Sequence, residues 1–165
     1  MLLSKSTEHR LEELIKKVYK AGYYLTSNTK KAEELTIKTF EVFTGNGYRI
    51  EEQGMWSYFV EIYLYKLPAT GNYPFHKKHQ PINLEDKLHR AILTLAPEEK
   101  LVLILRDIIG LNYHELTEII GCDRDKLTRI LTGARFRLRQ ELELWCNWKS
   151  ESRRILNCKT QTEHS

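Results

Sequence analysis

The sequence predicts an all-α protein made of two small helical domains joined by a flexible linker. Three observations carry that prediction. Apolar residues recur at three- and four-residue intervals in one segment after another. A stretch holding Pro68, Gly71, Pro74 and Pro81 interrupts any helix and has no consistent apolar period. A length of 165 residues suits two compact bundles and no very large core. The resulting boundaries are 1–67 for the first domain, 68–83 for the linker, 84–148 for the second domain and 149–165 for a polar tail.

In the first domain, Leu11, Leu14, Ile15, Val18, Ala21 and Gly22 share one face of a helix from about Thr7 to Leu25, with Lys and Glu on the other side. Thr26-Ser27-Asn28 breaks it. Ala32, Leu35, Phe40 and Phe43 form the stripe of a second helix, which Gly45-Asn46-Gly47 ends. The third segment, about Glu51 to Leu67, is dense in aromatics: Trp56, Tyr58, Phe59, Tyr63 and Tyr65. The linker carries His76, Lys77, Lys78 and His79 and reads as a solvated connector, although those side chains could also meet nucleic acid.

The second domain opens with a helix from Leu84 to Leu95. Pro97 suits the first position of the next, whose apolar stretch Leu101 to Ile109 stops at Gly110. Tyr113 to Ile120 is a short helix with Leu116, Ile119 and Ile120 inward. Gly121-Cys122-Asp123 is a tight turn, and Asp123 is placed to cap the last helix. That helix aligns Leu127, Ile130, Leu131, Ala134 and Leu138 on one face, and beyond about Trp148 the polar composition predicts a loose tail.

Composition excludes several classes of function. The chain is 41% hydrophobic and 29% charged, as soluble globular proteins are, and no apolar run reaches the roughly 20 residues of a membrane span. Lys5, Glu8 and Arg10 come too soon after the apolar Met1 to Leu3 to leave an apolar core for a secretory signal, so a cytoplasmic location is expected. Cys122, Cys146 and Cys158 lack the spacing of a zinc site or a disulfide framework; small buried or tail thiols are the commoner reading, with redox sensing by Cys146 and Cys158 the alternative. No paired carboxylates, phosphate loop or nucleophile-histidine arrangement is discernible, and His89 and His114 each stand alone on helices. Neither catalysis, a metal nor a cofactor is expected.

The distribution of charge is more informative than its total. Between Cys122 and Arg139 stand Arg124, Lys126, Arg129, Arg135, Arg137 and Arg139 against only Asp123 and Asp125, which accounts for the whole net charge of +4. A short helix, a turn with Gly121, and a second helix with separate apolar and basic faces make a helix-turn-helix pattern. In such motifs the start of the second helix enters the major groove. Arg124, Lys126, Thr128, Arg129 and Thr132 are therefore candidates to meet base edges, and Arg135, Arg137 and Arg139 to meet phosphates. A solvated face is the ordinary meaning of a basic run; position within the motif favours DNA.

The segment Leu88 to Leu142 resembles region 4 of the extracytoplasmic-function (ECF) sigma factors of bacteria. The family pattern A-x-x-x-L-P, then L-R-D-x-x-G-x-x-Y-x-E, then A-R-x-x-L-R is met by Ala91 to Pro97 with one inserted residue, by Leu105 to Glu115, and by Ala134 to Arg139. Departures are Ile109 for the usual Glu, Thr117 for Ala, and Asp125-Lys126-Leu127 for the G-T-V turn. Ala32 to Phe40 resembles the A-E-D-L-x-Q-E-x-F segment of region 2, with Ile37 for Gln and Lys38 for Glu.

The resemblance implies binding of core RNA polymerase through Glu34, Leu35, Ile37 and Lys38, reading of promoter DNA by the second domain, and an anti-sigma factor as a further partner. Met55 to Lys66 resembles the promoter-opening helix, which makes Trp56, Tyr63 and Tyr65 candidates to stack on single-stranded bases, with Tyr58 and Phe59 inside. The basic, Asp-containing segment that comes next in the family is replaced by Leu67-Pro68-Ala69-Thr70-Gly71. A sigma-like regulator or adaptor that binds duplex DNA without opening promoters is the alternative.

Overall fold

Close approach of two helices starts the fold. In the computed structural model, which describes residues 5–44, 51–66 and 83–162, α1 (Lys5–Thr26) and α2 (Thr29–Thr44) lie against one another. A Cβ on Gly22 would stand 3.3 Å from Cα of Ala32, so a larger residue there would push the pair apart. The turn between them is built from side chains. The Thr26 hydroxyl donates back to the Gly22 carbonyl at 2.8 Å, Ser27 takes a left-handed φ of 51°, and Asn28 Oδ1 accepts the Lys31 N–H at 3.0 Å, capping α2. α3 (Glu52–Glu61) then runs into a π-helical turn over Ile62–Lys66. The predicted stop at Gly45-Asn46-Gly47 lies outside the described residues, as does the linker from Leu67 to Ile82 with His76, Lys77, Lys78 and His79.

The second half obeys its stop and start signals. Asn83 caps α4 (Leu84–Thr94) by accepting the Asp86 N–H at 2.8 Å. Pro97 occupies the first turn of α5 (Pro97–Leu103), and the chain continues as a π-helix over Ile104–Ile109 until Gly110, at φ 91°, ends it. Then come α6 (Tyr113–Ile120) and α7 (Arg124–Thr162). All regular structure among the described residues is helical, in agreement with the all-α class.

One apolar cluster runs through both halves. Val18, Leu25, Leu35, Met55, Trp56 and Phe59 from the first half are continuous with Ile92, Leu101 to Leu105, Leu116, Leu127 and Leu131 from the second. α1 packs on α4 and on the π-helical end of α5, and α3 packs on α6. Polar groups close the seam: Gln53 Nε2 donates to Glu118, and the His89 ring sits between Tyr23 and Tyr24 with centroids 5.2 and 5.1 Å away. The halves share their interior instead of each closing its own.

The loose tail expected past Trp148 is corrected by the backbone, which is helical through Thr162. After Gly133 the chain contains no Gly or Pro as far as Thr162, and residues such as Glu, Lys, Arg and Leu extend a helix whose first turns are already anchored, because propagation costs far less than nucleation.

His89 makes the seam sensitive to acid. Burial pushes its imidazole below the ordinary histidine value against the pull of Asp86, the Tyr23 backbone and Glu85, while Lys100 pushes in the same direction as burial, and Nε2 is buried with no hydrogen-bond partner. A folded form that resists the proton loses stability once the unfolded form begins to take it. Stability is therefore complete above about pH 6.5 and falls as the pH drops below that value. Thermal unfolding at about pH 7.5 and about pH 5.5 should show a lower midpoint in acid, and His89→Phe should shrink the difference.

Candidate DNA-binding site

The turn between α6 and α7 is over-determined by local bonds. At the start of α6, Asn112 Oδ1 accepts the Glu115 N–H at 3.0 Å while the Glu115 carboxylate accepts the Asn112 N–H at 2.7 Å, a reciprocal cap. At its end Gly121 sits at φ 71°, and the N–H groups of Gly121 and Cys122 both reach the Thr117 carbonyl, at 2.9 and 3.2 Å. Asp123 then caps α7, accepting the Lys126 N–H at 2.7 Å, and that bond holds its carboxyl below the ordinary range. The cap expected at Asp123 is in place. Cys122 is a partly buried free thiol; the side chains of Cys146 and Cys158 are outside the described ones.

Packing sets the rotation of α7. Leu127, Leu131 and Ala134 are buried, and Ile130 and Leu138 are partly buried against the same core. At 3.6 residues per turn this stripe leaves Arg129, Thr132 and Phe136 pointing directly away from the bundle. Arg124, Thr128 and Arg135 lie along one edge, and Lys126 and Arg137 along the other. All of these are exposed, Phe136 at 61%.

The predicted contact residues divide by what already holds them. Arg135 is clamped by Asp107, with Nε at 2.9 Å and Nη2 at 2.6 Å, and this pair, helped by the Tyr113 hydroxyl, raises the guanidinium's pKa. Arg137 pairs with Glu99, Lys126 with Glu98 at 3.5 Å, and Arg139 with Glu143 at 2.8 Å. Thr128 donates its hydroxyl to the Arg124 carbonyl at 2.8 Å. Arg124 stacks on the Tyr113 ring, 5.4 Å from its centroid. Among the described residues, neither Arg124 nor Arg129 has an ion-pair partner. Sequence reasoning missed Glu98, Glu99, Asp107 and Tyr113 as parts of this surface, although Asp107 and Tyr113 both stand within the motif that prompted the resemblance.

In the first half, two of the candidate residues lie in the core. Trp56, expected to stack on bases, is 1% exposed and packs edge-on against Phe59 at 5.4 Å. Leu35 of α2, expected to touch polymerase, is wholly buried, with its side chain beside Gly22 of α1. Both belong to the core because their helices place them on the apolar stripe. Phe59 is inside as expected; Tyr58 is half-buried, with Lys66 Nζ 4.6 Å from its ring centroid. Burial pushes Tyr63 up to about 12, whereas Tyr65 is 79% exposed. On α2, Glu34 and Lys38 pair at 2.6 Å beside Ile37, which is 57% exposed. Among the described residues no helix is long and apolar enough to cross a membrane.

No protein-family model matches the chain, and no curated protein does. Among solved structures it is similar to the sigma factor RpoE in complex with the anti-sigma factor NepR from Bartonella quintana, with a TM-score of 0.66 and 16% identity over 85% of this chain and 98% of that one. The chain thus has the all-α fold of that sigma factor, in agreement with the fold the resemblance implied.

Gly121 tests the turn. A Cβ there meets nothing within 4 Å, so Gly121→Ala should cost only the left-handed backbone penalty, about 1–2 kcal/mol, read as a lower urea midpoint with unchanged slope.

Proposed function

We propose that the protein is an alternative RNA polymerase sigma factor, a non-catalytic cytoplasmic protein that binds core polymerase and directs it to promoters. The observation that carries this reading is the outward row of Arg129 and Thr132, with Arg124 beside it, at the start of a helix locked to the bundle by Leu127 and Leu131. α6, the turn and α7 act as a helix-turn-helix that lays this row in the major groove. Arg129 suits bidentate recognition of guanine, and Thr128 and Thr132 add adaptable hydroxyls.

The polymerase-facing surface is the exposed side of α2. Ile37 offers an apolar contact there, flanked by the Glu34–Lys38 pair. A buried apolar contact at an interface is worth more than a rim ion pair, so Ile37 dominates this surface. A protein inhibitor is a further partner, by analogy with the neighbour solved together with an anti-sigma factor.

One observation favours a second reading, an adaptor or regulator that binds DNA without opening promoters. Of Trp56, Tyr63 and Tyr65, only Tyr65 presents its ring fully to solvent, which leaves few platforms for unstacked bases. The two readings part in a single assay. With core polymerase and a promoter-bearing template, a sigma factor yields a specific transcript and permanganate-reactive thymines; a folded protein that retards duplex DNA but produces neither is the adaptor.

Arg129→Ala should cost about 1–3 kcal/mol of discrimination and relax preference at one base position, measured by competition between selected and random duplexes.

A further inference from the structure

The seam between the halves is held by apolar packing and is poorly matched in its polar groups. Ion pairs stay on their own side of it. Lys17 with Glu52 and Glu34 with Lys38 belong to the first half, and Lys87 with Glu141, Asp107 with Arg135 and Glu99 with Arg137 to the second. Trp56 Nε1, His89 Nε2 and Arg106 Nε are buried with no hydrogen-bond partner. All three lie on elements that meet the other half. Trp56 is on α3, which packs on α6, while His89 and Arg106 are on α4 and the π-helical end of α5, which pack on α1. Each of these groups is better accommodated in water, so all three favour a parted seam over a closed one.

Of the three, His89 is the one whose charge changes in mild acid. Its ring stands between the Tyr23 and Tyr24 phenols of α1, and its hydrogen bond to the Tyr23 backbone spans the seam. Nothing around it welcomes a second proton. On its own helix, Asp86 is already held by Arg90 at 3.1 Å and Glu85 is exposed. From α7, Glu141 is paired with Lys87 at 3.6 Å. From α5, half-buried Lys100 repels a positive ring. Closed, the site resists the imidazolium; parted, water receives it.

We propose that His89 is an acid-sensitive latch between the two halves: on acidification the seam parts while the helices of each half stay folded. The contacts that close each half do not involve His89. α1 lies on α2 at the close approach of Gly22, and α7 lies on α5 along the stripe of Leu127 and Leu131. The proton is taken up by the parted form, so the latch is fully closed above about pH 6.5 and weakens as the pH falls below that value. One proton bound with ordinary histidine affinity in the parted form, and refused by the closed one, changes their ratio by at most about tenfold between about pH 7.5 and about pH 5.5. The latch stands apart from the transcriptional role proposed above, and its test needs neither DNA nor polymerase.

The test is small-angle X-ray scattering of the full chain at about pH 7.5 and about pH 5.5, with far-UV circular dichroism on the same samples, for wild type and His89→Phe. In wild type the ratio of parted to closed molecules fitted to the scattering is expected to rise by about tenfold in acid, with the helical signal unchanged. His89→Phe is expected to show no rise. An unchanged wild-type profile, an equal rise in His89→Phe, or a rise that arrives together with loss of helical signal would overturn the proposal. Should His89→Phe not fold, Lys100→Met takes its place. Removing the repelling charge is expected to shrink the rise, and an undiminished rise in that variant would sink the latch.

Discussion

The seating of Leu127, Leu131 and Ala134 on α5 is the contact on which the surface of this protein depends. Burying a leucine side chain stabilises by about 1.5–3 kcal/mol, whereas an exposed ion pair contributes about 0–1 kcal/mol. The apolar seam, and not the ring of charged pairs above it, therefore sets the rotation of α7. Once that rotation is set, the helical repeat dictates the identity of every outward side chain. α5 passes beneath α7 with Glu98 and Glu99 at one end and Asp107 at the other, and so its carboxylates fall to opposite edges of the helix above.

The same economy joins the two halves of the chain. A small helical bundle has little interior of its own. Here α1 and α3 cover the inner faces of α4, the end of α5, and α6. Trp56 and Phe59 fill the first half's part of this shared interior. A large aromatic engaged in that way is not free to leave the helix surface for a base. Closing the core and displaying aromatics compete for the same side chains on α3.

The helices were legible because their signals are local. Apolar periodicity placed α1, α2 and the stripe of α7, while Pro97, Gly110, Gly121 and Asp123 each marked an end by backbone geometry or capping that needs only its immediate neighbours. Exposure on the candidate site was legible for the same reason, since Arg124, Arg129 and Thr132 fall off the stripe. Pairing was not. Asp107 meets Arg135 and Glu99 meets Arg137 across a whole helical hairpin, and no periodic pattern encodes which carboxylate arrives beside which guanidinium. The burial of Trp56 and Leu35 was not legible, because the family pattern names positions that matter without saying whether their side chains or only their helices do the contacting. The polar composition past Trp148 suggested a tail, because it offers little apolar surface and says nothing about a helix already nucleated upstream.

Glu98, Glu99 and Asp107 also bear on how long such a surface dwells on the wrong sequence. Lingering on arbitrary duplex is governed by the mobile ions that protein cations displace from it. A cation already matched by a carboxylate of its own chain displaces few. With several of its basic side chains matched in this way, α7, in the sigma-factor role proposed for it, would be a weak generic polyanion binder for its composition. It would leave non-cognate tracts quickly and spend more of its time sampling new ones, so that discrimination falls to the few outward residues that α5 does not hold.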